Sequence, residues 1–488
     1  MNKLVKFYDK ILNSEGSSFV TIAISWLHVV RPNVPGYLDN ISSEKSIKFF
    51  SLENILSIIK NFLLYSFYKI KKIKYSSTKI KNSIGYDTLI FSHCLNQKTI
   101  NNNNDFYFGD LERIVKTKNF RPFKLLINHT NINSEFFNSI NKIENHFVLE
   151  KYLNIYDEIK ILLLQIKEFL RLKFSKVNSR KNKKVINNIC LSIFDKQTTF
   201  ALRIYFLAKK YLEEINPSTI IFTYEGYGWE RVLVFAAKEF NPNIKIIGCQ
   251  HPLVSEKNFA MLRNIKGNFN PDILWVQGNK SLRALKNANK LKNIKIIKTG
   301  TFKKLQKIKK SNKIKPNCLV VPGATISENI KLFSFSLSCA KKNKAISFTW
   351  RVHPLIKLEK ILQIIKISKK TLPKNIILSK SSLSKDVSKN SFVLYTDSAA
   401  VIEATRGSNI PLYLNLKGQK NNDPLFDYAN SKIYIHNIEE FLKIFTKFPN
   451  KKLKITKKKA EKIFFDIYER TNRQQIFKSL KENDFKKI

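Results

Sequence analysis

The chain is short of the residues that mark stapled, fibrous or linker-rich proteins. Its 488 residues hold five cysteines, thirteen glycines and fourteen prolines. Cys94, Cys190, Cys249, Cys318 and Cys339 are odd in number, scattered and without a CxxC pair. That argues against a disulfide framework or a thiolate zinc site and fits a reducing compartment. Glycine and proline are too sparse for a fibrous or low-complexity chain. Met1-Asn2-Lys3 leads into a mixed, charged stretch rather than the apolar run of a signal peptide. HExxH, GxGxxG, P-loop and GxSxG motifs are missing, which argues against metalloprotease, dinucleotide oxidoreductase, P-loop kinase and hydrolase chemistry. No clear DxD motif occurs, so no metal is expected.

Acidic residues are also few, 37 against 87 lysines and arginines, for a formal charge of +50. The lysines are spread along the chain among isoleucines and asparagines, as in a compositional background on solvated faces. No arginine-rich arm, zinc-finger spacing or RNP-like motif accompanies them, so nucleic acid is not the expected partner. The charge draws the protein toward anionic substrates and lipid headgroups. The expected location is cytoplasmic, peripheral on the inner face of the cytoplasmic membrane. Within 47–75, Leu52 to Tyr68 is apolar at helical spacing, interrupted by Lys60 and followed by Lys69, Lys71, Lys72 and Lys74. It is shorter than the ~20 residues of a spanning helix. It reads as an amphipathic helix that either packs on the first domain or lies on a membrane.

What is present is a succession of short β-rich runs separated by helical patterns. The first set is 87–95, 123–128, 219–224, 244–249, 273–277 and 294–298, with a helical insertion around 150–215. Lysine-dense 303–315, closed by Pro316, reads as a linker. The second set is 318–322, 345–352, 375–378, 392–395 and 411–416, followed by a lysine-rich helical tail. Strands alternating with helices imply parallel sheets covered on both faces, with ligands beyond the strands' carboxyl ends. The expected architecture is α/β, with two Rossmann-like domains facing a cleft. A helical N-terminal extension spans 1–80, the first domain 81–305, the second 317–435 and a C-terminal helical tail 436–488.

Four strand ends carry the chemistry. Ser347 to Pro354 is a strand ending in His353-Pro354, and proline suits the first turn of a helix. A histidine there can bind a phosphate or give it a proton, although a structural turn is equally consistent. Phe392 to Glu403 runs through Thr396-Asp397-Ser398 into the small-residue helix start at Ala399. Ser398 can cap that helix or bond a phosphate, and Glu403 can accept bonds from ribose hydroxyls. In the first half, Tyr224-Glu225-Gly226-Tyr227-Gly228-Trp229-Glu230-Arg231 ends a strand in a carboxylate and two glycines. Glu225 and Glu230 are both eligible to take a proton from a sugar hydroxyl, or to pair with Arg231 or cap the helix. Gln250-His251 ends the next strand and either lines an acceptor pocket or forms a turn. Lone histidines at strand ends, His93 and His129, read as structural.

At these residues the sequence resembles the bacterial GT-B glycosyltransferases of surface-carbohydrate biosynthesis, the sialyltransferase, polysialyltransferase and Kdo-transferase group of capsule and lipopolysaccharide synthesis. Tyr224-Glu225-Gly226, His353-Pro354 and Thr396-Asp397-Ser398 stand in the order of that group's acidic, His-Pro and serine motifs, over roughly residues 80–430. The resemblance implies sugar transfer from a nucleotide-activated, CMP-linked donor to a glycan or lipid-linked glycan acceptor. The nucleotide-sugar is then substrate, and no separate cofactor is implied. His353, Pro354, Thr396, Ser398, Ala399 and Glu403 would bind the donor; Gly226, Glu230, Gln250 and His251 would bind the acceptor. Glu225 and His353 would be catalytic. One departure is that Tyr224 stands where the group has its first acid, the position that supplies the base there, and this departure counts against both Glu225 as the base and a CMP-linked donor. Two rivals remain: a CDP-polyol phosphotransferase of teichoic-acid type, and a non-catalytic glycan-binding or assembly protein.

Overall fold

The computed structural model describes residues 8–13, 18–28, 85–95, 105–129, 146–149, 153–174, 180–251, 253–254, 260–287, 291, 293–303, 308, 314–354, 356–415, 423–446 and 451–482. The 47–75 segment and most of the 303–315 linker lie outside them. The chain divides into two compact units, Met1–Lys304 with Arg470–Ile488, and Leu305–Glu469.

The first unit holds β1 (Thr88–Cys94), β2 (Pro122–Asn128), β3 (His146–Val148), β4 (Thr219–Tyr224), β5 (Lys245–Gln250), β6 (Ile273–Val276) and β7 (Lys295–Lys298). They form one sheet in the order β3-β2-β1-β4-β5-β6-β7, parallel throughout. The second unit holds β8 (Asn317–Val320), β9 (Ser347–Trp350), β10 (Ile376–Leu378), β11 (Phe392–Tyr395), β12 (Ile410–Leu414) and β13 (Ile433–Ile435). Their order is β10-β9-β8-β11-β12-β13, again parallel throughout. Both sheets are doubly wound, and both reverse direction once, between β1 and β4 and between β8 and β11. The protein is thus α/β with two Rossmann-like sheets.

The continuous apolar runs follow from this topology. A strand covered by helices on both faces has no polar side, and all six residues of both β4 and β5 are buried. Helices Ile155–Lys173, Arg180–Ser192 and Lys196–Ile215 lie in the connection that carries the chain from β3 across to β4. The tail divides between the units. Helices Ile438–Thr446 and Lys451–Ile467 belong to the second, whereas Arg473–Lys481 belongs to the first. There Trp275 Nε1 donates to Ser479 Oγ at 3.0 Å, and the amide of Asn472 to the Thr299 carbonyl at 2.7 Å. All five cysteines are buried and free. No helix among the described residues is long and apolar enough to cross a membrane.

Candidate functional site

Side chains gather beyond the carboxyl end of each sheet, where the strand order reverses. In the first unit the loop after β4 comes first, because its backbone is held unusually tightly. Gly226 has φ +85°, and a Cβ there would stand 2.3 Å from the Ala260 carbonyl oxygen, so only glycine fits. The Glu230 carboxylate, 1% exposed, accepts from the amides of Glu225, Gly226 and Tyr227 at 2.6–2.9 Å. Burial and the neighbouring Glu225 push its carboxyl well above the usual carboxylate range, against the pull of those amides. Glu230 therefore shapes the loop from inside and offers no oxygen to an acceptor, contrary to its expected role. Gln250 also turns inward: its side-chain oxygen accepts from the Gln277 amide at 3.0 Å.

Tyr224, the last residue of β4, is fully buried, and its hydroxyl has no hydrogen-bond partner among the described residues. The next residue, Glu225, emerges half-buried at the sheet edge. Glu225 lies past the end of β4, whose six residues are all buried. The acid position filled by tyrosine belongs to the core, and Glu225 is the half-buried carboxylate of that motif.

Near Glu225 stand His93 and His129, which the sequence reading left as structural, with Tyr107, Trp229 and the expected acceptor residue His251. His93, at the end of β1, bonds His129 through Nδ1 and Thr223 Oγ1 through Nε2, both at 2.8 Å. The Tyr107 ring lies 4.8 Å from His93 and 4.3 Å from His251, and Trp229 meets His93 edge-on at 5.5 Å. Asp105 fixes Tyr107 by accepting its amide at 2.9 Å. Burial, then the neighbouring Glu225, raises the Tyr107 hydroxyl above its ordinary value. Burial, then His129, lowers His93 to about 3; burial, then Lys303 and His93, lowers His251 to about 3. His129 is lowered by burial too. At neutral pH this edge presents uncharged imidazoles, a phenol and an indole beside the carboxyl groups of Glu225 and Asp105. Such groups hydrogen-bond hydroxyls and pack against apolar C–H faces.

These shifts have a measurable consequence. An unfolded histidine takes up its proton near 6.5, whereas the folded ones stay neutral to lower pH. The fully buried His28, lowered by burial and Arg231, adds to the set. Between about 6.5 and 3 the unfolded state binds more protons, so stability falls with falling pH in that window. The melting temperature should drop by roughly 5 °C or more from pH 7.5 to pH 5.5, and His93→Gln should reduce that drop. A flat calorimetric profile would contradict the assignment.

In the second unit three loops converge at the reversal between β8 and β11. After β8, Thr325 and Glu328 cap helix Ile326–Lys342 reciprocally, with Thr325 Oγ1 donating to Glu328 at 2.9 Å. Thr396, after β11, reaches the same carboxylate at 3.4 Å. His353, after β9, feels it electrostatically: burial lowers the imidazole, and Glu328 partly restores it. Glu328 thus ties two expected site residues together, and the sequence reading missed it. Its signal was Thr325-Ile326-Ser327-Glu328 before an apolar run, the pattern of a capping box.

Two local expectations are corrected here. Pro354 does not begin a helix; it lies in a turn closed by the Ile356 amide on the His353 carbonyl, and helix Leu358–Ile364 starts later. Ser398 does not occupy the cap position, which Ala399 takes; its hydroxyl accepts from the Ala400 amide at 3.4 Å. Glu403, in the first turn of helix Ala400–Arg406, pairs with Arg406 at 3.1 Å.

No protein-family profile matches the chain, and no curated protein matches it in sequence. Among solved structures it is similar to UDP-GlcNAc 2-epimerase from Methanocaldococcus jannaschii, at 13% identity and TM-score 0.44 over 77% of this chain and 97% of that one. MurG from Acinetobacter baumannii gives 11% identity and TM-score 0.43 over 78% and 94%. An S. aureus TarM mutant in complex with fondaparinux, alpha-GlcNAc-glycerol and UDP gives 13% and 0.42 over 81% and 99%.

Proposed function

We propose that the chain is a GT-B glycosyltransferase that moves a sugar from a nucleotide-activated donor onto a glycan acceptor. The supporting observation is that each sheet gathers polar side chains at its strand reversal, where doubly wound folds bind ligands, with a different chemistry in each unit. The second unit's edge, with His353, Thr396, Ser398 and the carboxylates Glu328 and Glu403, suits a nucleotide. Imidazole and hydroxyls donate to phosphate oxygens, and carboxylates accept from ribose hydroxyls. The first unit's edge, with neutral imidazoles, Tyr107 and Trp229 around Glu225, suits the hydroxyls and C–H faces of a sugar. In the reaction the acceptor hydroxyl loses its proton to Glu225 as its oxygen bonds to the anomeric carbon. The bond from that carbon to the donor phosphate breaks, and its electron pair leaves with the phosphate. His353 hydrogen-bonds the departing oxygen, and the negative charge there favours its protonation.

The test is nucleotide release. The full chain is incubated with CMP-, CDP- and UDP-linked donors and mixed glycan acceptors, and free nucleotide is measured. Release of one nucleotide, stimulated by acceptor, supports the reading. CMP assigns the donor class of the sialic acid and Kdo type, and absence of release from every donor contradicts it.

A further inference from the structure

Helix Ile155–Lys173 carries apolar side chains on two faces. Its inner face carries Ile161 and Leu172, with Leu164 and Phe169 half-buried against the core, but also the buried Gln165 and Glu168. These polar groups need dedicated partners: Gln165 donates to the Ile193 carbonyl at 2.6 Å and Thr199 Oγ1 at 3.0 Å. Glu168 accepts from the Thr21 hydroxyl and pairs with Arg171 at 2.7 Å. Meanwhile Ile155, Ile159, Leu163, Ile166, Leu170 and Phe174 are between 39% and 76% exposed. Their spacing of four, four, three, four and four places them in one stripe, about 28 Å long at 1.5 Å per residue. A helix that packs through one face alone keeps its outer side polar, so a second, continuous apolar stripe on the exposed side marks an interaction surface.

The charges around the stripe select its occupant. Lys160, Lys167 and Lys173 lie on the exposed side. The helix's carboxylates are engaged within the unit: Asp157 with Asn154, Glu158 with Arg203 at 2.7 Å, and Glu168 with Arg171. A second copy of the chain would bring like charges together along the seam. An anionic bilayer instead accepts the apolar stripe at its acyl boundary, while lysine stems reach up to the headgroups. We infer that the Ile155–Lys173 helix docks the first unit on an anionic lipid surface, independently of the 47–75 segment and of the proposed reaction.

The experiment floats the full chain with vesicles of phosphatidylcholine alone, or with about a quarter phosphatidylglycerol, at physiological salt. The variant Leu163→Gln with Leu170→Gln changes no charge and removes no buried side chain. Wild type should bind the phosphatidylglycerol vesicles, and the variant should bind at least about tenfold more weakly. Equal binding by both would mean that the overall positive charge alone attracts the vesicles, and would overturn the inference. So would a wild-type dimer that binds no lipid and becomes monomeric in the variant, since a second copy would then cover the stripe. A lipid-indifferent monomer destabilised by the same substitutions would overturn it as well, because the chain would cover its own stripe.

Discussion

Glu225→Gln should slow sugar transfer by roughly 100- to 10,000-fold, the usual contribution of a positioned general base, while nucleotide binding stays at the wild-type level. Glutamine keeps the size of the side chain and its place after β4, but an amide cannot take the acceptor's proton. The effect should fall on kcat, because the lost interaction is made as the bond to the anomeric carbon forms. Tyr224 cannot substitute, being fully buried one residue earlier. Steady-state kinetics beside calorimetric nucleotide titration separate the two quantities. A variant with wild-type kcat removes Glu225 from the chemistry.

Arg231→Met should destabilise the first unit by about 2–4 kcal/mol, the cost of leaving buried acceptors without the guanidinium that bonds them. The guanidinium is fully buried. It donates to the Gly226 carbonyl at 3.3 Å, Asn270 Oδ1 at 2.8 Å, the Ala260 carbonyl at 2.9 Å and the Arg263 carbonyl at 3.0 Å. It also lies 5.8 Å from the Tyr224 ring centroid. Methionine fills similar space but takes the guanidinium from four acceptors; Asn270 Oδ1 keeps the Ile265 amide and the Ala260 carbonyl the Arg263 amide, so the desolvation cost falls mainly on the Gly226 and Arg263 carbonyls. Because Arg231 and Glu230 grip the loop from below, the same change should disorder Glu225 and lower activity even in the molecules that stay folded. Denaturant unfolding checks the first effect; a loss below about 1 kcal/mol would show that the network is not what holds the loop.

The sheets were legible in the sequence because a parallel strand buried on both faces needs an uninterrupted apolar run. Eleven strands came from β-rich runs, among them the edge strands β7 and β10, which are only partly buried. Among the described residues β3 and β13 escaped, each three residues long at the edge of its sheet. For the candidate site, the sequence placed Glu225, His353 and Thr396 just past strand ends, and the structure has them there. Direction of burial was not legible: Glu230 and Gln250 have the residue types of a binding site, yet they spend their oxygens on backbone amides. Nor was assembly. His93 and His129 lie 36 positions apart, and Thr223 another 94 beyond; only parallel pairing of β1 with both β2 and β4 brings them to one edge.

The central claim is that the second unit binds a nucleotide through the residues after β8, β9 and β11. Isothermal titration of the full chain with CMP, CDP and UDP tests it, repeated with His353→Ala and Ser398→Ala. Burial holds His353 below its ordinary value in the free protein, so an arriving phosphate should draw a proton onto it, and affinity should rise as pH falls from 8 to 6. The account predicts saturable binding of one nucleotide, at least about tenfold weaker in each variant, with the pH dependence lost in His353→Ala. Undiminished binding in both variants, or no binding of any of the three nucleotides, would contradict it.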